Sequence, residues 1–411
     1  MSSSTVREWL NLFLIPGIGS NVILKLVARF GSPKEVLTAS ESELANVVGY
    51  SYARILSYYR ETVDLDGELK KIDKHEVKII TLDDSDYPVS LAELYDPPMV
   101  LYVKGELKPT DLYSVSIVGT RNCSPYGAKV TEYFSRGLAE VGITIVSGLA
   151  IGVDGIAHKS ALSAGGRTIA FLGSGIDVIY PSKHEQLFSE IKDNGAVIST
   201  FPMGTQPVGK NFPIRNRFIS GFSFGTIVTE ATLSSGALIT AKYAVEQGKT
   251  VFAVPGPIGY PGSEGPHWLI NQGAKLVEKS SDIIEEVPNY LKDYLISCKT
   301  TPPGPDFDRL SSPANSNLSD KSHSAGSKKD ISRLETQSEN NSSTSKGSFS
   351  GIHNISPQEQ KILSVLSPNG SYVDEVALSC NIPVSEALSL LTMMEMKGLV
   401  TQFSGKRFAK A

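Results

Sequence analysis

Between residues 115 and 277 the chain repeats one pattern seven times: a short apolar run, then a longer amphipathic stretch. The runs are 115–118, 143–146, 168–172, 196–198, 226–228, 250–254 and 275–277. Each is apolar on both alternating faces, so each needs cover on both sides. Helices between parallel strands supply that cover. The intervening helices are predicted to begin near Tyr126, Val153, Lys183, Arg215, Gly236 and His267. The fold class is therefore α/β, with an extended Rossmann-like, doubly wound sheet. In such sheets ligands bind beyond the carboxyl ends of the strands.

The residues that follow the strands are small, hydroxylated or glycine-bearing: Gly119-Thr-Arg121, Ser147-Gly148, Gly173-Ser-Gly175, Thr200-Phe-Pro202, Glu230-Ala231 and Pro255-Gly256. After the fourth strand, and on the same edge, comes Lys210-Asn-Phe-Pro-Ile-Arg-Asn-Arg217. No acidic residue lies between Asp193 and Glu230, and none between Leu112 and Thr131. The rim thus gathers Arg121, Lys210, Arg215, Arg217 and Lys242 with main-chain amides and hydroxyls, a set suited to phosphates. Cations beside Phe212 match a phosphate chain with unstacked bases. A helix start with basic side chains would read the same way, and Phe212 reads equally as a stacking platform or as core. Successive positions on a helix turn by about 100°, so at least one of Arg215 and Arg217 is expected to hold the loop rather than a ligand. The turn Ser234-Ser-Gly-Ala-Leu238 fits a helix-start anion site, and fits a plain helix cap as well.

Familiar nucleotide sites do not fit. Gly119 to Gly127 is not GxGxxG, and the second strand ends at Ser147 instead of an acid for a ribose, so no dinucleotide cofactor is expected. Gln247-Gly-Lys-Thr250 resembles the end of a P-loop, but it precedes its strand and has Tyr243 where the first glycine belongs. Asp154 and His158 stand at i and i+4, and Glu230 ends a strand. No nucleophile with an adjacent base accompanies them, so the pair reads as a structural contact and no catalytic residue is assigned. Cys123, Cys298 and Cys380 are far apart without a CxxC, and the six histidines are scattered. No metal or disulfide is expected, and the cysteines fit a reducing, cytoplasmic setting. No signal-like segment or membrane-length apolar run is present. A net charge of −4 over 411 residues excludes a histone-like coating protein but leaves a local basic face open.

The flanks differ from the core, giving four expected segments: 1–66, 67–297, 298–353 and 354–411. The first is helical: Trp9, Leu10, Phe13 and Leu14 have helix spacing, Pro16-Gly-Ile-Gly19 breaks it, and Val22, Leu26 and Phe30 resume it up to Gly31, with Pro33 as a stop. Helix, Pro-Gly-Ile-Gly, helix resembles a helix-hairpin-helix (SAM-like) unit, whose amides meet DNA phosphates in some settings and merely turn the chain in others. Residues 77–103 read as strand-like runs that pack onto the core. Residues 298–353 are rich in Ser, Asn, Lys, Asp and Glu and read as a disordered tether. The last segment reads as a winged helix, with helices 359–366, 373–379 and 384–397 and a hairpin 399–408. Its third helix carries Ser385, Glu386, Ser389, Thr392 and Glu395, poor groups for reading DNA, so a protein contact is favoured there.

Taken together, Ile117-Val-Gly-Thr-Arg121, Ser147-Gly-Leu-Ala-Ile-Gly-Val-Asp154 with Ala157-His158, Gly173-Ser-Gly-Ile-Asp177 with Tyr180-Pro181, Phe212-Pro-Ile-Arg-Asn-Arg217 and Ser235-Gly-Ala-Leu-Ile-Thr-Ala241 with Val254-Pro-Gly256 resemble the DNA-processing protein A (DprA/Smf) family. The resemblance implies a single-stranded DNA-binding protein of natural transformation that protects incoming DNA and loads the RecA recombinase. It also implies a homodimer, no cofactor and no membrane association. Carried over by position, the DNA contacts would be Gly119, Thr120, Arg121, Lys210, Phe212, Arg215, Asn216 and Arg217, with Ser147, Gly148, Ser235, Gly236 and Lys242 as further candidates. One departure is Ser199-Thr-Phe-Pro202, where the family usually has Ser-Glu-x-Pro.

Two other readings compete. Phe224-Gly-Thr-Ile-Val-Thr-Glu230 loosely resembles the Gly-Thr…Glu element of Rossmann-type phosphoribohydrolases, which would make this a nucleotide-binding enzyme using Glu230. Ser223-Phe224 stands where that family has Gly-Gly. A helix-turn-helix regulator with a ligand-sensing core is opposed by the acidic third helix.

Overall fold

The computed structural model describes residues 4–288 and, beyond them, 357–367, 371–380, 382, 387, 390–391, 394, 399–403 and 407–410. The chain divides into two compact units, Met1–Asn317 and Leu318–Ala411.

Nine strands form the sheet of the first unit: β1 (Lys78–Thr81), β2 (Val100–Gly105), β3 (Ser114–Val118), β4 (Thr144–Ser147), β5 (Thr168–Leu172), β6 (Ala196–Ser199), β7 (Gly225–Val228), β8 (Thr250–Ala253) and β9 (Lys275–Leu276). Their order is β1-β2-β6-β5-β4-β3-β7-β8-β9. Strands β3 to β9 pair in parallel, and β1 and β2 add an antiparallel edge. Val115 on β3 faces Ile145 on β4 and Gly225 on β7, so chain order reverses on either side of β3. That reversal is the topological switch point, where α/β sheets place ligands.

Both faces are covered, as the uniformly apolar strands require. Helices Pro125–Glu140 and Val153–Ser163 pack Phe134, Leu138, Val153 and Ala157 on Ile117, Ile145 and Phe252. On the opposite face, helices Asn211–Phe222 and Gly236–Glu246 pack Phe218, Phe222, Ala237 and Ala241 on Val118, Val146, Ile169 and Val228. Polar groups inside the strands are satisfied within the sheet, as with the Ser116 and Thr226 hydroxyls 2.8 Å apart.

Several boundaries differ from the sequence expectation, each for a local reason. The helix expected near Arg215 begins at Asn211, because Lys210 already turns into helical backbone and Pro213 fits a first turn. The helix expected near His267 begins at Pro261 and carries Pro266 inside it, so that proline does not mark the start. Pro33 is no stop: it occupies the first turn of helix Pro33–Thr38, and the Ser32 side chain accepts from the Glu35 amide at 3.2 Å. The helix before it ends where its pattern does, at left-handed Gly31, two residues earlier. The lead-in does more than pack on the core, since its two strands extend the sheet beyond β6.

Helices Ser4–Leu14, Ser20–Phe30, Pro33–Thr38, Glu41–Val48, Tyr50–Tyr59 and Leu65–Lys74 form a layer whose core continues into the sheet. Trp9, Leu10, Ile23 and Leu26 are buried in one cluster with Tyr102, Ala170 and Val197. The Trp9 indole donates to Asp83 at 2.7 Å. Helix Leu65–Lys74 runs across the expected boundary at residues 66 and 67.

In the second unit β10 (Ser371–Tyr372), β11 (Val400–Phe403) and β12 (Arg407–Lys410) form a sheet of order β10-β12-β11. Helices Pro357–Val365 and Val373–Cys380 pack Ile362, Val376 and Ala377 with Phe408. The tether 298–353, most of the third helix and Ser404 to Lys406 lie outside the described residues. Among the described residues no helix is long and apolar enough to cross a membrane.

Gly105, at the end of β2, has φ +90°, and an added Cβ would lie 2.4 Å from the Gly195 carbonyl oxygen. Gly105→Ala is expected to lower the unfolding free energy by about 2–4 kcal/mol through strain and crowding together. Gly17, also at positive φ but with open space around it, should lose only about 1 kcal/mol on the same change. Urea unfolding of the two variants checks the contrast.

Candidate nucleic-acid interface

The loop after β3 is fixed from two sides. Thr120 donates its amide to the Glu230 carbonyl at the end of β7 (2.7 Å) and accepts from the Val153 amide (3.2 Å). Gly119 permits this approach, because a Cβ would lie 2.5 Å from Val153 Cγ2. Gly152, at φ +86°, gives room for the Thr120 carbonyl. The result places Arg121 at the mouth of the switch point with an exposed side chain.

Two neighbouring hollows open there. One, of about 550 Å³, is lined by Gly119, Thr120, Arg121, Asp154, Phe212, Arg215, Asn216, Thr232, Ser235, Gly236 and Thr240 among others. The second, of about 240 Å³, is lined by Arg121, Asn122, Gly148, Ile151, Gly173, Tyr180, Phe212 and Arg215 among others. Phe212 and Arg121 belong to both and divide them. The half-buried Phe212 ring has the Arg121 guanidinium 5.2 Å from its centroid, Arg215 at 5.9 Å and the Tyr180 ring at 5.9 Å. A Cβ on Gly173 would come within 2.8 Å of the ring, so that glycine makes its seat.

The four cations of the sequence motifs separate into two kinds. Arg121 and Lys210 are exposed, and neither forms an ion pair among the described residues. Arg215 is buried, donating to the Phe171 carbonyl at 2.7 Å and to the Gly148 carbonyl. Burial pulls its pKa down to about 10, opposed by the Asp154 carboxylate, so it stays charged at neutral pH. Arg217 pairs with Asp96 at 2.5 Å and lies over the Phe218 ring at 4.7 Å. Sequence spacing predicts that at least one of the two arginines holds the protein. Both have protein partners, and only Arg215 lines the hollows.

Other expected residues sort as plainly. Ser147 is fully buried and its hydroxyl donates inward, to the Ile117 carbonyl at 2.6 Å. Gly148 is buried but contributes to the smaller hollow. Ser235 caps helix Gly236–Glu246 and lines the larger hollow with Gly236 and Asn216. Lys242 lies off the lining and faces Glu246 at 3.8 Å. Tyr180 and Ile151 were not assigned from sequence, although Tyr180 lies in a quoted motif. An exposed aromatic just beyond a strand's carboxyl end was the available signal.

The candidate catalytic groups are otherwise engaged. His158 Nδ1 lies 2.6 Å from Thr168 Oγ1, while Asp154 faces Arg215 and the Ala150 amide, so the two do not pair. Burial raises the Asp154 pKa and lowers that of His158 to about 3. Glu230 accepts from the Ser124 amide (3.1 Å), the Ser124 hydroxyl (2.8 Å) and the Tyr260 hydroxyl (2.9 Å), and lines neither hollow. These bonds tie the loops bearing Ser124 and Tyr260 to the end of β7. Burial, then the Glu230 charge, pushes the Cys123 thiol up to about 12. Among the described residues no cluster of His, Cys, Asp and Glu is placed to hold a metal.

The DNA recombination-mediator protein A family matches residues 78–288, and the DprA winged-helix domain matches residues 352–406. The Escherichia coli protein Smf is 40% identical over 280 residues, 68% of this chain and 74% of its own. The Streptococcus pneumoniae DNA processing protein DprA is 46% identical over 205 residues, 50% of this chain and 72% of its own. The X-ray structure of DprA from Streptococcus pneumoniae superposes with a TM-score of 0.62 at 36% identity, covering 70% of this chain and 99% of that one.

His158 stays neutral in the folded protein, whereas the unfolded histidine takes up a proton below about pH 6.5. Its depressed pKa therefore contributes stability that is present above pH 6.5 and lost as pH falls toward 3. The wild type should lose about 1.4 kcal/mol per pH unit from this source. The stability gap between wild type and His158→Gln should accordingly shrink between pH 7 and pH 5, as read by urea unfolding.

Proposed function

The chain belongs to the DNA recombination-mediator protein A family, and on that premise we propose that it binds single-stranded DNA across the two hollows at the switch point. The observation that carries this reading is the exposed Arg121 over a half-buried Phe212 in an open cleft, with Lys210, outside the lining and without an ion pair among the described residues, two positions before Phe212 at the start of the same helix. Arg121 and Lys210 hold phosphates. Thr120, Asn216, Ser235 and the start of helix Gly236–Glu246 offer further donors along the larger hollow. A base stacks against the Phe212–Tyr180 side of the smaller one, with little preference among bases. Arg215 sets the local potential from beneath, while Arg217 fixes the helix. In this reading the protein acts in transformation, as a cytoplasmic homodimer that receives incoming strands, protects them and passes them to RecA. Family membership and the form of the rim support it.

Fluorescence anisotropy of labelled single- and double-stranded oligonucleotides across a salt series tests the site. Arg121→Ala and Lys210→Ala should each weaken single-strand binding and lower the salt slope by about 0.7. Phe212→Ala should weaken binding by about 1–3 kcal/mol with the slope unchanged. Equal duplex binding that survives all three changes would move the DNA site to a terminal segment.

A further inference from the structure

Glu68 is a buried carboxylate that the cleft chemistry does not use. It comes from helix Leu65–Lys74, in the helical layer, and is 4% exposed. Its one ion-pair neighbour among the described residues, Lys71, stands 4.0 Å away and is half exposed, too loose a pair to explain burying a charge. Its two close partners are the Met203 amide at 2.8 Å and the Tyr102 hydroxyl at 2.7 Å, both on Oε1. The next amide along, that of Gly204, donates to Asp177 at 2.8 Å. Two consecutive N–H groups, the kind of concavity that binds anions, are thus filled by two carboxylates of the protein itself.

Those amides belong to the segment that leaves β6 and leads to Lys210. The segment's far end is held from outside as well, since Asp96 pairs with Arg217 and accepts from Ser20, the first residue of helix Ser20–Phe30. Between these anchors lie Thr205 to Lys210, which form neither strand nor helix. Within them the Thr205 carbonyl accepts from the Gly175 amide at 2.9 Å and the Gln206 carbonyl from the Asn211 side chain at 3.2 Å, so their course depends on these bonds as well as on where each end is fixed.

We propose that Glu68 is a positioning residue: by fixing the Met203 amide it sets the path that brings Gly209 to the wall of the larger hollow and Lys210 to its rim, and so makes the N-terminal helical layer a working part of the strand-binding site. This rests on the strand-binding reading above for its functional half. Glu68→Asp keeps the charge but withdraws the carboxylate by one methylene. Glu68→Gln keeps an acceptor in place.

The test combines amide hydrogen exchange of the full chain with anisotropy on an oligothymidylate. With Glu68→Asp, exchange should quicken across 203–210 while the amides of β3 to β5 stay protected. Affinity should fall about fivefold, and adding Lys210→Ala should cost nothing more, because Lys210 is already misplaced. Glu68→Gln should follow the wild type. A Glu68 that merely stabilises the fold would leave the two losses additive, and that result overturns the proposal. So does unchanged exchange across 203–210, or a Glu68→Gln that loses affinity as Glu68→Asp does. If the wild type itself fails to bind the oligonucleotide, the strand-binding reading falls. The exchange arm then still decides whether Glu68 sets the loop.

Discussion

The guanidinium of Arg215 lies where the exits of β4 and β5 meet, and its bonds to the Gly148 and Phe171 carbonyls join those two exits to helix Asn211–Phe222. A buried cation is stable only when its donors find acceptors and its charge finds an opposite; here Nη1 reaches both carbonyls and the Asp154 charge opposes the burial, while Nε is buried without a partner. The arrangement leaves no room for a side chain at Gly148, where a Cβ would lie 2.0 Å from Arg215 Nη1. It also seats Phe212 one turn earlier on the same helix, against Gly173, with Arg121 on its other side. Remove the guanidinium and the aromatic at the mouth loses its support from below.

A division of labour follows among like-charged residues. Arg215 and Arg217 serve architecture because carbonyls or a carboxylate reach them, whereas Arg121 and Lys210 stand at loop ends where no acid among the described residues pairs with them. The sequence interval free of acids around 210–217 describes the chain, not the space around it: Asp96 enters from more than a hundred residues upstream and neutralises Arg217. The same carboxylate accepts from Ser20 at the start of a hairpin helix, where a DNA phosphate was one expectation.

The parallel strands, their helix cover and the rim were legible because strands buried on both faces leave an apolar rhythm, and glycine-bearing exits mark the carboxyl edge. Helix starts near prolines were less legible. Pro33 read as a stop and a helix start was expected near His267, yet Pro33 sits in a first turn and the helix bearing His267 begins at Pro261. Ser147 and Glu230 carry groups suited to ligands, but long-range packing turned them inward to Ile117 and Ser124. The antiparallel pair at the sheet's edge, and the carboxylate that Glu68 brings to Met203, depend on tertiary register that a single sequence does not encode locally.

The two margins of the sheet have a consequence for association. One margin is β1, four residues long, with Lys78 paired to Asp86 beside it; the other is β9, two residues long. Neither offers a run of unpaired main-chain groups long enough to recruit another chain's strand. At these two margins a second molecule would find little backbone ladder to share, and recognition there would be written in side chains.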